Sequence, residues 1–242
     1  STSSVGNNGY VFYRVWEEKA ESIALDVGRT VEMVCESVNP AKWKLDDLGA
    51  AEDYIDVTLS NESEYADRVK LTIKAKQQWA DAISFTVRND YAEWTVTLKA
   101  TPVPDGAITG SAITYGETLA SSTTFSGTMK AGSTKVDGKF AWVDKTVAPT
   151  VADSGVTEYD VVFTPDELAK YFVTTNKATV TVNPKPITVT ADDETIAFGE
   201  TPDLTYQITK DSLVGGDTLV GTLTVDALTV GTHDIVQADD WE

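Results

Sequence analysis

The 242-residue sequence holds one cysteine, one histidine and two methionines, and only 19 basic side chains against 38 acidic ones. One Cys and one His cannot assemble a Cys/His zinc cluster, a CxxC redox pair or a disulfide framework. A net charge of −19, with a pI near 4.3, repels phosphate backbones, and no basic stripe interrupts it, so nucleic acid is excluded as a partner. No apolar run approaches the about 20 residues of a membrane span, so direct membrane insertion is not expected. The start, Ser1-Thr2-Ser3-Ser4, lacks the basic head and apolar stretch of a signal peptide: either there was none or it has been removed. What is present, 41% apolar and 24% charged residues, suits packed domains, and the length allows two of them or three small β ones.

Val, Thr, Ile and Tyr recur in short alternating runs, the pattern of half-buried strands. Val31–Cys35, Val69–Ile73, Ile83–Val87, Trp94–Leu98, Tyr159–Phe163, Ala178–Val182 and Ile187–Thr190 are the clearest. Turn clusters at Asp105-Gly106, Asp137-Gly138 and Gly215-Gly216-Asp217 punctuate them at the spacing of β-sandwiches. Only Glu17–Ser22, Leu45–Ala51, Gln77–Ala82 and Asp166–Ala169 suggest short helical turns. The fold class expected is all-β, as tandem small β-sandwiches.

Two proline-marked seams, Thr101-Pro102-Val103-Pro104 and Asn183-Pro184-Lys185-Pro186, read as semi-rigid linkers because proline cannot feed a ladder hydrogen bond. They predict segments 1–102, 103–183 and 184–242, with net charges of −6, −3 and −10. An internal repeat accompanies them. Ala112-Ile113-Thr114-Tyr115-Gly116-Glu117-Thr118 recurs 83 residues later as Thr195-Ile196-Ala197-Phe198-Gly199-Glu200-Thr201, which makes the second and third segments tandem copies of one module.

The aromatic-Gly-Glu step, together with Pro186-Ile187-Thr188-Val189-Thr190, makes segment 184–242 resemble the YGX-type MBG domain of bacterial surface proteins. Segment 103–183 looks like the related repeat found beside it, on Gly138–Trp142, Glu158–Pro165 and Tyr171-Phe172. Segment 1–102 is similar to bacterial Ig-like domains in its opening run Ile23–Met33, in Lys42-Trp43-Lys44 and in its closing strand Trp94–Leu98. It departs from them in the insert Asp46–Tyr54 and an extra N-terminal strand, Tyr10–Trp16. These resemblances imply immunoglobulin-like sandwiches in an elongated array on an extracellular bacterial cell surface, serving as adhesin, stalk or spacer.

Chemistry leaves fewer marks. No G-x-S-x-G elbow or phosphate-cradling glycine loop is present, and no enzyme activity is expected. His233 lies in Gly231-Thr232-His233-Asp234-Ile235, a strand pattern that predicts an exposed strand histidine. No cofactor is expected beyond calcium, for which Asp192, Asp193 and Glu194, just past a linker, are the candidates. Trp79 stands in the polar run Lys76-Gln77-Gln78-Trp79-Ala80-Asp81 between two clean strands. Exposed, it suits stacking on a sugar ring; folded inward, it caps the sandwich end. Tyr65 and Tyr91, also in connections, are further ligand candidates. Trp43, Trp94 and Trp142 read as core.

Aligning the repeats sets His233–Val236 against Tyr159–Val162, and Trp241-Glu242 then falls near Glu167-Leu168, leaving segment 184–242 without a counterpart of the closing strand Ala178–Val182. Three explanations fit: a fragment of a longer chain, closure in a variant way, or a strand donated by another subunit, for which Tyr10, Phe12 and Trp16 mark a suitable donor. The partners expected are therefore a host or environmental glycan or glycoprotein, or further copies or domains of the same protein. Alternatives to the adhesin or spacer are a carbohydrate-binding component of a cell-surface polysaccharide system and a structural subunit of a filament or phage virion.

Overall fold

A computed structural model describes residues 3–5, 11–13, 17–61, 64–210 and 213–241. The chain opens with β1 (Ser3–Val5) and β2 (Val11–Tyr13), an antiparallel pair. There follow β3 (Glu17–Ile23), β4 (Thr30–Lys42), β5 (Lys44–Leu45), β6 (Ile55–Leu59), β7 (Tyr65–Ala75), β8 (Ile83–Arg88) and β9 (Ala92–Leu98). They form two sheets, β3-β9-β8-β5 and β4-β7-β6. Every pairing is antiparallel except β3 with β9, which runs parallel from Glu17↔Ala92 to Ile23↔Leu98. Two sheets of this order, with the first strand added in parallel beside the last, make an immunoglobulin-like sandwich.

The period-two pattern sets the core. Val69, Leu71 and Ile73 of β7 alternate inward, as do Phe85 and Val87 of β8 and Val96 and Leu98 of β9. Burying each such side chain is worth roughly 1.5–3 kcal/mol. Cys35, Trp43 and Ile55 complete this core; the Trp43 Nε1–H donates to the Ala66 carbonyl at 3.0 Å. Pro40 falls where the β4–β7 register shifts between Glu36 and Ala41, a place where no ladder donor is needed.

Three local expectations are corrected. Glu17–Ser22 is not a helical turn but most of β3, because its ladder with β9 overrides the helix propensity of its Glu, Lys and Ala residues. Gln77–Ala82 carries no helix, whereas the helical turn expected at Leu45–Ala51 is present as a 3-10 turn at Gly49–Asp53, displaced because Lys44 and Leu45 pair with β8. In the first seam, Val103-Pro104 is itself a strand.

That strand is β10 (Val103–Pro104), followed by β11 (Thr109–Thr114), β12 (Phe125–Ser126), β13 (Met129–Ala131), β14 (Thr134–Val136), β15 (Gly138–Trp142), β16 (Tyr159–Pro165) and β17 (Thr174–Asn183). Strands β10, β13 and β14 form one sheet, while β15, β16 and β17 pair antiparallel in succession. Phe125, Phe140, Trp142 and Phe163 stack as tilted neighbours, their ring centroids 4.9–5.8 Å apart. Finally come β18 (Thr188–Ala191), β19 (Tyr206–Lys210), β20 (Leu223–Val225) and β21 (Ile235–Gln237), as the antiparallel pairs β18–β19 and β20–β21.

The chain divides into two compact units. One comprises Ser1–Thr109, Phe125–Val143 and Tyr159–Ala178; the other comprises Gly110–Thr124, Asp144–Glu158 and Thr179–Glu242. The first holds the immunoglobulin-like sandwich and the aromatic cluster. In the second, Ile113, Leu119, Val180 and Val182 are buried, yet among the described residues from Asn183 to Trp241 no side chain is. No helix among the described residues is long and apolar enough to cross a membrane.

Candidate functional site

Trp79 is not the exposed platform that its polar surroundings suggest. Its side chain is 6% exposed, and its indole N–H donates to the Lys99 carbonyl at 3.0 Å. Folding a large apolar ring over the sandwich end while satisfying its one donor outweighs leaving it in water. Tyr65 is 74% exposed at the start of β7, with the Lys42 ammonium 5.5 Å from its ring centroid. Tyr91 lies half-buried in the β8–β9 turn, where its N–H donates to Asn89 Oδ1 at 2.9 Å. The structure places these three residues on separate elements.

The candidate calcium ligands do not converge. Asp192 accepts hydrogen bonds from Thr205 Oγ1 at 2.7 Å and Gln207 Nε2 at 3.3 Å, and Glu194 accepts one from the Asp203 N–H at 3.1 Å. These acids brace the β18–β19 pair, and Asp193 is exposed beside them. Among the described residues no group of three or more His, Cys, Asp and Glu side chains could hold a metal ion. His233 is not in a strand. Its ring lies between Asp226 Oδ1 (3.0 Å from Nδ1) and the Thr229 carbonyl (3.0 Å from Nε2), closing a loop. Of the candidate donor strand, Tyr10 and Trp16 fall outside the described residues, and Phe12 belongs to β2, whose backbone pairs with Ser3–Val5 of its own chain.

Two further constellations stand out, the second of them built on the repeat motif already legible in the sequence. The first is a joint around Ala100. The Ala100 N–H donates to the Lys170 carbonyl at 2.9 Å, and the Phe172 N–H returns to the Ala100 carbonyl at 3.0 Å. Ser22 Oγ reaches the Ala169 carbonyl at 2.7 Å, and the Lys99 ammonium sits 5.5 Å from the Phe172 ring centroid. Tyr171, 5% exposed, donates its hydroxyl to Asp81 Oδ1 at 3.0 Å. Burial first, and the Asp81 carboxylate second, push its phenol up to about 12. Trp79 thus lies two residues before the acid that holds the joint. The Tyr171-Phe172 pair was visible in the sequence; its partner 90 residues earlier was not.

The second is the aromatic-Gly-Glu turn. Glu117 N–H donates to the Thr114 carbonyl at 2.9 Å, and the Glu117 carboxylate accepts from the Thr114 N–H at 2.7 Å. Glu200 repeats both bonds with Ala197, at 3.1 and 3.0 Å. Gly116 and Gly199 sit at φ of 96° and 92°, the third position of a turn that only glycine fills without strain. The motif is therefore a self-capped turn, made the same way twice.

The last segment thus carries the aromatic-Gly-Glu turn after its first strand, β18. Residues 187–239 match the MBG domain (YGX type). The MBG segment is 53 residues by its bounds, and it includes β18 to β21. No curated protein matches the sequence. Among solved structures, the chain is similar to a tandem fragment of titin (14% identity, 70% of this chain and 65% of that one, TM-score 0.23). It is also similar to the tandem Ig repeats of Dlar (10% identity, 70% and 96%, TM-score 0.24). A titin I-band fragment shares 12% identity over 85% of this chain and 82% of that one, with a TM-score of 0.30. The immunoglobulin-like assignment rests on the strand order of β3 to β9, and the repeat on its two matching turns.

Proposed function

We propose that the chain is a spacer or adhesive-stalk segment of an extracellular bacterial surface protein, its role mechanical rather than catalytic. The observation that carries this reading is the joint around Ala100. Backbone hydrogen bonds to Lys170 and Phe172, a buried tyrosine on Asp81 and the Ser22–Ala169 bond replace what would otherwise be a free hinge. A connection of this kind passes load from the sandwich into the next module and resists bending. The MBG match of residues 187–239 supports the surface setting. The partners proposed are a glycan or glycoprotein at one end of the protein, or further domains of it. Small-angle scattering tests the reading: a spacer gives a radius of gyration well above the about 18 Å of a compact globule of this length. A value near that of the globule refutes it.

One observation favours a second reading, a filament subunit. Between residues 187 and 241 the chain leaves an open groove lined by Ile187, Val189, Leu223, Ile235, Gln237 and Trp241. An added strand from another chain would cover such a groove. This reading expects particles that grow with concentration in sedimentation and fail to do so once residues 1–16 are deleted; a concentration-independent monomer rejects it.

A further inference from the structure

The two aromatic-Gly-Glu turns fold alike but have different surroundings. Against the first lies a second turn, Val214-Gly215-Gly216-Asp217, closed by the Asp217 N–H donating to the Val214 carbonyl at 3.0 Å. A Cβ on Gly116 would stand 2.7 Å from a Val214 methyl, so the missing side chain is what lets the valine approach. The Tyr115 hydroxyl meets the Asp217 carboxylate, which raises its pKa, and the Tyr115 ring is half-buried. Among the described residues nothing comparable lies against the second turn. Phe198 is 80% exposed, and a Cβ on Gly199 would find no atom within 4 Å.

The same backbone, the same glycine and the same capping glutamate thus present an aromatic ring twice, once covered by the following segment and once bare. A large exposed ring on a rigid turn marks a contact surface. What covers the first copy tells what fits the second. We propose that the aromatic-Gly-Glu turn is the docking element between successive repeats, and that the Phe198-Gly199-Glu200 face receives the apolar-Gly-Gly-Asp turn of a following repeat of the same kind. Because Phe198 lacks the hydroxyl of Tyr115, the incoming turn needs its apolar residue and its glycines, and not its acid. The inference rests on the tandem-array reading above.

The test extends the whole chain after Glu242 with a second copy of residues 169–242. The added piece supplies a closing strand, a Pro-Lys-Pro linker and another Val-Gly-Gly-Asp turn. Hydrogen exchange across residues 196–200 is expected to slow about tenfold relative to the unextended chain. Phe198→Ser, at an exposed position, is expected to abolish that slowing without altering exchange at residues 114–117. Unchanged exchange at 196–200 in a folded extended chain overturns the proposal, and so does slowing that survives Phe198→Ser. Should the extension not fold, Val214→Asp in the unextended chain still decides: exchange at 114–117 and 213–217 is expected to rise about tenfold, and no rise overturns the proposal. A glycan that protects Phe198 in the unextended chain also counts against it. The array reading itself fails by scattering, a separate measurement.

Discussion

Single residues divide by what surrounds them rather than by type. Trp79, Trp43 and Trp142 are all buried, although only the last two sit in runs that announce a core. Burial holds the Cys35 thiol up at about 12, with Glu21 adding to the effect, so no thiolate forms near neutrality. Native protein is expected to resist a thiol reagent that labels Cys35 fully in denaturant; fast labelling of folded protein refutes this. Tyr171 carries a pH signature. Its folded pKa of about 12 lies above its ordinary 10, so the neutral phenol is favoured by folding. That stability is complete below about pH 10 and is lost as pH rises through about 12. Urea midpoints of the parent chain and Tyr171→Phe are therefore expected to converge between about pH 10 and pH 12, and parallel curves reject the assignment. At Gly138 an added Cβ would lie 2.6 Å from the Phe163 ring. Gly138→Ala is expected to cost roughly 1–3 kcal/mol in denaturant unfolding.

Elements were legible where a single rule governs them. Alternation located β7, β8, β9, β16 and β17, because one face of each is buried and the period is two. It did not locate β3, whose Glu17-Glu18-Lys19-Ala20-Glu21 favours helix in isolation and takes its conformation from β9. Removing residues 1–23 leaves the β9 edge unpaired, and light scattering is expected to show concentration-dependent association. A truncated chain that stays monomeric would show that β9 needs no cover. The motif Tyr115-Gly116-Glu117 was legible as a bend through its glycine, whereas the role of Glu117 as the cap of that bend needed coordinates.

At the scale of the whole molecule, order of packing and charge run opposite ways. The described residues from Asn183 to Trp241 bury no side chain, and residues 184–242 carry −10 of the net −19. Amide exchange is expected to be fastest across β18 to β21 and slowest in β4 and β7. Added salt is expected to slow exchange in the MBG segment more than in the sandwich, because screening relieves its self-repulsion. A uniform response to salt refutes the charge argument.

The sequence alone determined the fold class, the runs that become strands, the repeat and its glycine turns, because each depends on local period or on a residue with special backbone freedom. It also determined that this chain alone can close no disulfide and assemble no Cys/His cluster, since one Cys and one His hold in any fold. Only the tertiary structure decided that Trp79 turns inward, that Asp81 meets Tyr171, and that Tyr115 is covered while Phe198 is bare. These are contacts between residues up to 102 apart in the chain, as Tyr115 and Asp217 are. No local pattern encodes such partners, because they meet only after the sheets have set the distances.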